Sequence, residues 1–284
     1  MVKAFEDGLR DLGYRVGQNV VIEYRFADAR PERLPELAAD LVRLNVDVIV
    51  TGINTNTAAA MKATTTIPIV MANSVDPVGA GFVETLARPG RNVTGLTQDT
   101  GNEAFGKRLE LLKEILPRGS RECAVLWNPA FGPNRGRWEA TADAARKLGL
   151  TLLSAKMQGF DDLEPAFASI TRSHPGGLVV MSDGVLFTYR RQISSMAIKH
   201  RLPAISTVGE YAEAGLLLTY GASLRGLWYR SATFVDKILK GSKPGDLPIE
   251  QPTKFELVIN LRTAKALGLT LPPAVLARAD QVIE

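Results

Sequence analysis

A series of short polar turns carries the side chains best suited to holding a small ligand. They are Asn54, Thr55, Asn56 and Thr57; Asn73, Ser74 and Asp76; Asn128 before Pro129; Ser182, Asp183 and Gly184; and Thr207 with Glu210. Each follows an apolar, β-branched run, so in a parallel sheet each would sit at a strand's carboxyl end, where open α/β sheets bind ligands. Where such a turn opens a helix, its unpaired amides attract a carboxylate or other anion. Asp76, Asp183 and Glu210 could neutralise an ammonium group, and Phe131, Phe187 and Tyr220 could stack on a flat or apolar moiety. Each polar residue could instead only cap its own helix, and each aromatic could be core. Equivalent placement of the turns along both halves of the chain favours one shared ligand site over independent caps.

Enzyme chemistry lacks its usual marks. There is no P-loop, G-x-S-x-G, H-E-x-x-H or paired C-x-x-C motif, and Gly79-Ala80-Gly81 lacks the third glycine of a dinucleotide fingerprint. Of the two histidines, His174 precedes Pro175 in a loop and His200 closes a helix, which argues against a His-based metal site or a Ser-His triad. The lone Cys123 excludes an internal disulfide and reads as a small core residue. No catalytic residue, metal ligand or cofactor is expected.

The net charge of +4 is spread over helix faces, with no basic stripe interleaved with aromatics, so no nucleic-acid partner is expected. Apolar residues make up 45% and charged residues 23% of the 284 positions, which fits a globular chain and excludes disordered and fibrous classes. No run reaches the roughly 20 apolar residues of a membrane-spanning helix.

The elements that must position these turns repeat in two sets. Strands are expected at 20–26, 46–51, 67–71 and 93–96, then again at 124–127, 152–155, 178–181 and 204–207, with helical patterns between them. Further strands are expected at 216–220 and 255–259. The alternation predicts an α/β chain of two similar lobes with mostly parallel sheets and a pocket between them. Val2, Phe5, Leu9 and Leu12 form an amphipathic first helix stopped by Gly13, and Asp76-Pro77 is expected to open another helix. Because a strand-helix repeat ought to begin with a strand, a first strand and a leader are expected upstream of this numbering; an authentic helical start is the alternative. The chain is expected to cross between lobes near 96–100, 219–222 and 249–252, which gives lobes of 1–97 plus 221–250 and 98–220 plus 251–284. Several crossings favour a hinge.

Longer stretches carry a family resemblance. GQNVVIEYRFAD (17–28), TTTIPIV (64–70), DPVGAGFV (76–83), RPGRNVTG (88–95), GKRLELLKEILP (106–117) and QPTKFELVINLRTAKALGLTLPP (251–273) resemble ABC-transporter substrate-binding proteins of the tryptophan/tyrosine-binding-like family. The resemblance covers nearly the whole chain in order. It implies a type I periplasmic-binding-protein fold, two doubly wound lobes on a three-segment hinge, and a small solute held between them. It further implies a periplasmic location and delivery to a membrane permease driven by a separate ATPase. By position, the cleft would be lined by 52–55, 73–76, 128–131, 183–187 and 207–210. The expected function is non-catalytic binding of an amino acid or similar zwitterion, perhaps aromatic. A ligand-sensing regulatory module of the same fold and an enzyme acting in the cleft are the alternatives.

Overall fold

A computed structural model describes residues 1–284 apart from Ala29, Thr100, Asn102 and Arg118. The strands are β1 (Ile49–Thr51), β2 (Ile69–Met71), β3 (Val93–Gly95), β4 (Glu122–Trp127), β5 (Thr151–Lys156), β6 (Gly177–Val180), β7 (Ala204–Ser206), β8 (Leu218–Ala222), β9 (Phe255–Asn260) and β10 (Gln281–Ile283). The helices are α1 (Val2–Asp11), α2 (Leu34–Arg43), α3 (Asn54–Ala63), α4 (Glu103–Ile115), α5 (Pro133–Leu148), α6 (Leu163–Arg172), α7 (Gly184–Thr188), α8 (Arg190–Lys199), α9 (Glu210–Glu213), α10 (Leu224–Leu239), α11 (Leu261–Leu267) and α12 (Pro273–Leu276). No described helix is long and apolar enough to cross a membrane. The chain divides into two compact units, Met1–Asp99 with Leu224–Thr253 and Thr100–Ser223 with Lys254–Glu284. Of the crossing expected at 96–100, Thr100 lies outside the described residues.

The first unit is built on a parallel sheet in the order β1-β2-β3. Its core joins Ile49, Ile69, Met71 and Val93 from the strands to Ala60 on α3 and to Phe82, Val83 and Ile249. Helix α1 buries Ala4, Phe5, Gly8 and Leu9 and packs on α10. Gly8 permits that approach, because a Cβ there would lie 2.3 Å from the Tyr229 carbonyl oxygen and 2.9 Å from the Ala232 Cβ. After α1 the Tyr14 hydroxyl donates to Asp236 at 3.0 Å, fixing the helix end to α10.

Two expected elements of this unit do not form. Residues 20–26 make no strand: beyond an isolated Val16–Val20 bridge their backbone joins no ladder, and Val21 is 77% and Phe26 60% exposed. Alternating polarity supplies a face for a sheet, but a strand also needs a neighbouring edge, and none pairs with this segment. The helix expected from Asp76-Pro77 is replaced by turns. Asp76 adopts φ +44°, its Oδ1 accepts from the Gly79 amide at 2.9 Å, and Gly81 at φ +71° leaves the helical region before a turn can propagate.

The second unit holds a seven-stranded sheet in the order β10-β9-β8-β7-β6-β4-β5. Strands β4 to β8 run parallel, β9 is antiparallel to β8, and β10 lies parallel to β9. Strands β4, β6, β7 and β8 are buried on both faces, as helix-covered parallel strands require, while the edge strand β5 is partly exposed. After β4 the chain places β5 on one side and then β6 on the other, so the winding reverses between β4 and β6. In open α/β sheets that reversal opens a crevice at the carboxyl ends of the two strands. The edge strand β10 leaves Gln281 and Val282 exposed and has no apolar signature in the sequence.

Candidate ligand-binding site

In the first unit the loops after β1 and β2 are tied together by a side-chain amide. Asn54 Nδ2 donates to the Val75 carbonyl at 2.7 Å, and its Oδ1 accepts from the Val75 amide at 2.9 Å. The Ser74 hydroxyl donates to the Leu96 carbonyl at 2.9 Å, while the Ser74 carbonyl accepts from the Thr97 hydroxyl at 3.0 Å and the Gln98 amide at 2.9 Å. The Asp76 amide donates to Asp99, whose carboxylate also accepts from the Thr97 hydroxyl at 3.0 Å. Asn54 and Ser74 therefore spend their polar groups on loop architecture. Asp76 is exposed and caps its own turn, and Thr55 is exposed at the head of α3. Asn73 differs: it is 6% exposed, and its Oδ1 has no hydrogen-bond partner.

In the second unit the loops after β4 and β6 meet at the winding reversal. Asn128 Oδ1 accepts from the Ala130 amide at 2.9 Å, and the Asn128 carbonyl accepts from Asn134 Nδ2 at 3.1 Å. The same Asn134 nitrogen lies 3.3 Å from Asp183 Oδ2, and Asp183 Oδ1 caps α7 by accepting from the Val185 and Leu186 amides at 2.7 and 3.0 Å. Burial pushes the Asp183 carboxyl above its ordinary range, against the pull of those two amides. Arg137 donates to the Ser182 carbonyl at 3.0 Å from the other side. Asn128 and Asp183, read from the sequence as separate turns, are thus joined through Asn134, which polarity patterning inside a helix did not single out.

Aromatic side chains extend this cluster. The Phe187 ring lies edge-on to Tyr211 at 6.0 Å, and the Arg190 guanidinium sits 4.5 Å from its centroid while donating to the Phe187 carbonyl at 2.9 Å. Tyr220 packs 6.0 Å from Phe255, and its carbonyl accepts from the buried Arg108 at 2.7 Å. Phe131 is half-buried in the loop leading to α5.

Buried polar atoms without partners gather in the same region. They are Asn134 Oδ1, Thr207 Oγ1, Glu210 Oε2, Tyr211 OH and Thr219 Oγ1. Thr219 pairs in register with Ser206, the last residue of β7. Tyr211 is wholly buried, and its hydroxyl faces Ser182 without completing a hydrogen bond; burial raises its pKa. Burial likewise raises the pKa of Glu210. Orphaned buried polar groups are rare in folded proteins, which singles this cluster out as a candidate binding surface. Asn134, Tyr211 and Thr219 escaped sequence reading, since a tyrosine and a threonine inside apolar runs carry no signal beyond core packing.

The geometry is that of a polar, aromatic-edged candidate surface, and among the described residues no hydrogen bond joins a nucleophile to a histidine base as in a triad. Among the described residues no three His, Cys, Asp or Glu side chains gather as metal ligands. Cys123 lies fully buried in β4, and burial pushes its thiol up to about 12.

Residues 1–283 match the family described as ABC transporter substrate binding protein. A tyrosine-binding protein of Clostridioides difficile is 27% identical over 267 residues, covering 94% of this chain and 76% of that protein. A conserved domain protein from Vibrio cholerae superposes with a TM-score of 0.89 at 31% identity, covering 99% of this chain and 93% of the other. An ABC domain from Streptococcus pneumonia in complex with L-Trp gives the same TM-score and coverage at 26% identity.

Proposed function

The chain belongs to the ABC transporter substrate-binding protein family, and we propose that its solute is an amino acid, aromatic in its side chain, bound at the strand-end turns, and that the two compact units are its two lobes. Membership makes a small-molecule ligand and a transporter its general partners. The finer reading is that it works outside the cytoplasmic membrane, without catalysing a reaction, and hands its solute to a permease powered by a separate ATPase. The family match favours transport over a regulatory module.

The observation that carries the solute class is the rim of the second unit. There, partnerless buried polar atoms lie beside the Phe187 and Tyr211 rings. Polar orphans suit a zwitterion's charged head, and aromatic edges suit a flat side chain. Asn73, buried with an open acceptor at the strand ends of the first unit, supplies a matching group there. The relatives named as tyrosine-binding or solved with L-Trp lend the same direction.

The test is a thermal-shift screen of the twenty amino acids followed by titration calorimetry. A ligand at one hundred times its Kd stabilises by about 2.7 kcal/mol, which raises Tm by roughly 5–10 °C for units of this size. The expected result is such a shift with tryptophan or tyrosine and little with charged or small residues. A flat response across the panel would sink the reading.

A further inference from the structure

Three carboxylates stand at the strand ends as candidates for the ligand's ammonium group, and the structure separates them. Asp76 is exposed, and its Oδ1 is occupied by the Gly79 amide. Asp183 is committed on both oxygens, Oδ1 to the Val185 and Leu186 amides and Oδ2 to Asn134. Glu210 alone keeps a carboxylate oxygen, Oε2, that is buried and accepts no hydrogen bond. The nearby cation does not satisfy it: Arg190 is held by the Phe187 ring and carbonyl and forms no ion pair with Glu210 among the described residues.

We infer that Glu210 is the residue that selects for a primary amine, receiving the ligand's ammonium on Oε2 and so distinguishing an amino acid from the carboxylic acid that lacks the amine. This rests on the amino-acid reading above and deepens it. A buried carboxylate without a partner is unfavourable until a cation with N–H donors arrives. An ammonium brings one positive charge and three donors. Partnerless hydroxyls on the same turn and the helix it opens, Thr207 Oγ1 and the buried Tyr211 OH, are acceptors of the kind its remaining donors need. A deaminated acid offers none of these donors and leaves the site as unsatisfied as it was, which is how a buried polar group rejects an analogue lacking its complement.

The experiment pairs a variant with a pair of ligands. Wild type and Glu210→Gln are titrated calorimetrically with L-tryptophan and L-tyrosine, and with indole-3-propionate and 3-(4-hydroxyphenyl)propionate. The expected result is that Glu210→Gln weakens binding of the amino acids by about 30-fold or more while the deaminated acids change by less than about threefold. Equal losses for both classes, or no loss for either, would overturn the assignment and leave the amino-acid reading standing. Failure of the wild type to bind any amino acid would overturn that reading together with the role given to Glu210. Should Glu210→Gln not fold, Glu210→Asp keeps the charge but withdraws it by one methylene; it is expected to weaken amino acids selectively, and an unselective change counts against the proposal.

Discussion

Asn54 and Val75 are joined by two reciprocal hydrogen bonds, side-chain amide to backbone, at 2.7 and 2.9 Å. The pair fixes the loop after β1 to the loop after β2, and Val75 is 5% exposed, so water cannot replace the lost partner. Asn54→Ala strands both a donor and an acceptor and is expected to destabilise the protein by about 1–3 kcal/mol. Asn54→Asp keeps the acceptor and can replace the donor only when its carboxyl is protonated, so its loss should be smaller than that of Asn54→Ala at acidic pH. Urea denaturation of the two variants checks the order; equal losses would mean that the loops are held by other contacts.

The buried carboxyl of Glu210 predicts a pH dependence of fixed sign. Its folded pKa is raised by burial, so the native state holds this proton more tightly than the unfolded chain does. The stability it contributes is fully present below the ordinary carboxylate pKa, about 4.3, and is lost as pH rises through the raised folded value. Asp236, whose pKa is lowered by Lys240, acts in the opposite direction and would obscure the raw profile. The difference between wild type and Glu210→Gln isolates the site. The variant is expected to lose the downward slope with rising pH that Glu210 supplies, as measured by chemical denaturation from pH 4 upward. A difference that stays flat with pH would show that the carboxyl is not buried in solution.

Residues 21–26 separate what the sequence can specify from what it cannot. Their β-branched and aromatic content is as strand-like as the apolar run of β4, yet β4 has β5 and β6 alongside and 21–26 have no neighbour, because pattern records a face and not a partner. The strands of both sheets other than β10 were legible since buried parallel strands need apolar, β-branched runs, and the glycine stop of α1 was legible since Gly13 holds φ +92°. At the candidate site, turn residues such as Asn73, Asp183 and Glu210 announced themselves by polarity. Whether each is spent on its own loop depends on backbone geometry, as the committed Asn54 and the open Glu210 illustrate. Amide hydrogen exchange should find 21–26 unprotected, exchanging at rates near those of an unstructured peptide, while β6 and β7 are slowed by several orders of magnitude. Strong protection at 21–26 would mean that a pairing partner is present in solution.

Gly221 gives a way to disturb the rim without removing any polar group. A Cβ at this position would lie 2.1 Å from the Thr207 carbonyl oxygen, closer than any side chain tolerates. Since Thr207 follows β7 directly and Gly221 belongs to β8, Gly221→Ala must push the Thr207 turn away from the neighbouring strand. The strain is expected to lower stability by about 1–3 kcal/mol. Displacing Thr207 moves Glu210 with it, so affinity for the proposed amino-acid ligand should fall by about tenfold or more even at temperatures where the variant is fully folded. Calorimetric titration beside a denaturation curve separates the two effects. A destabilised variant that retained wild-type affinity would place the 207–210 turn outside the ligand site.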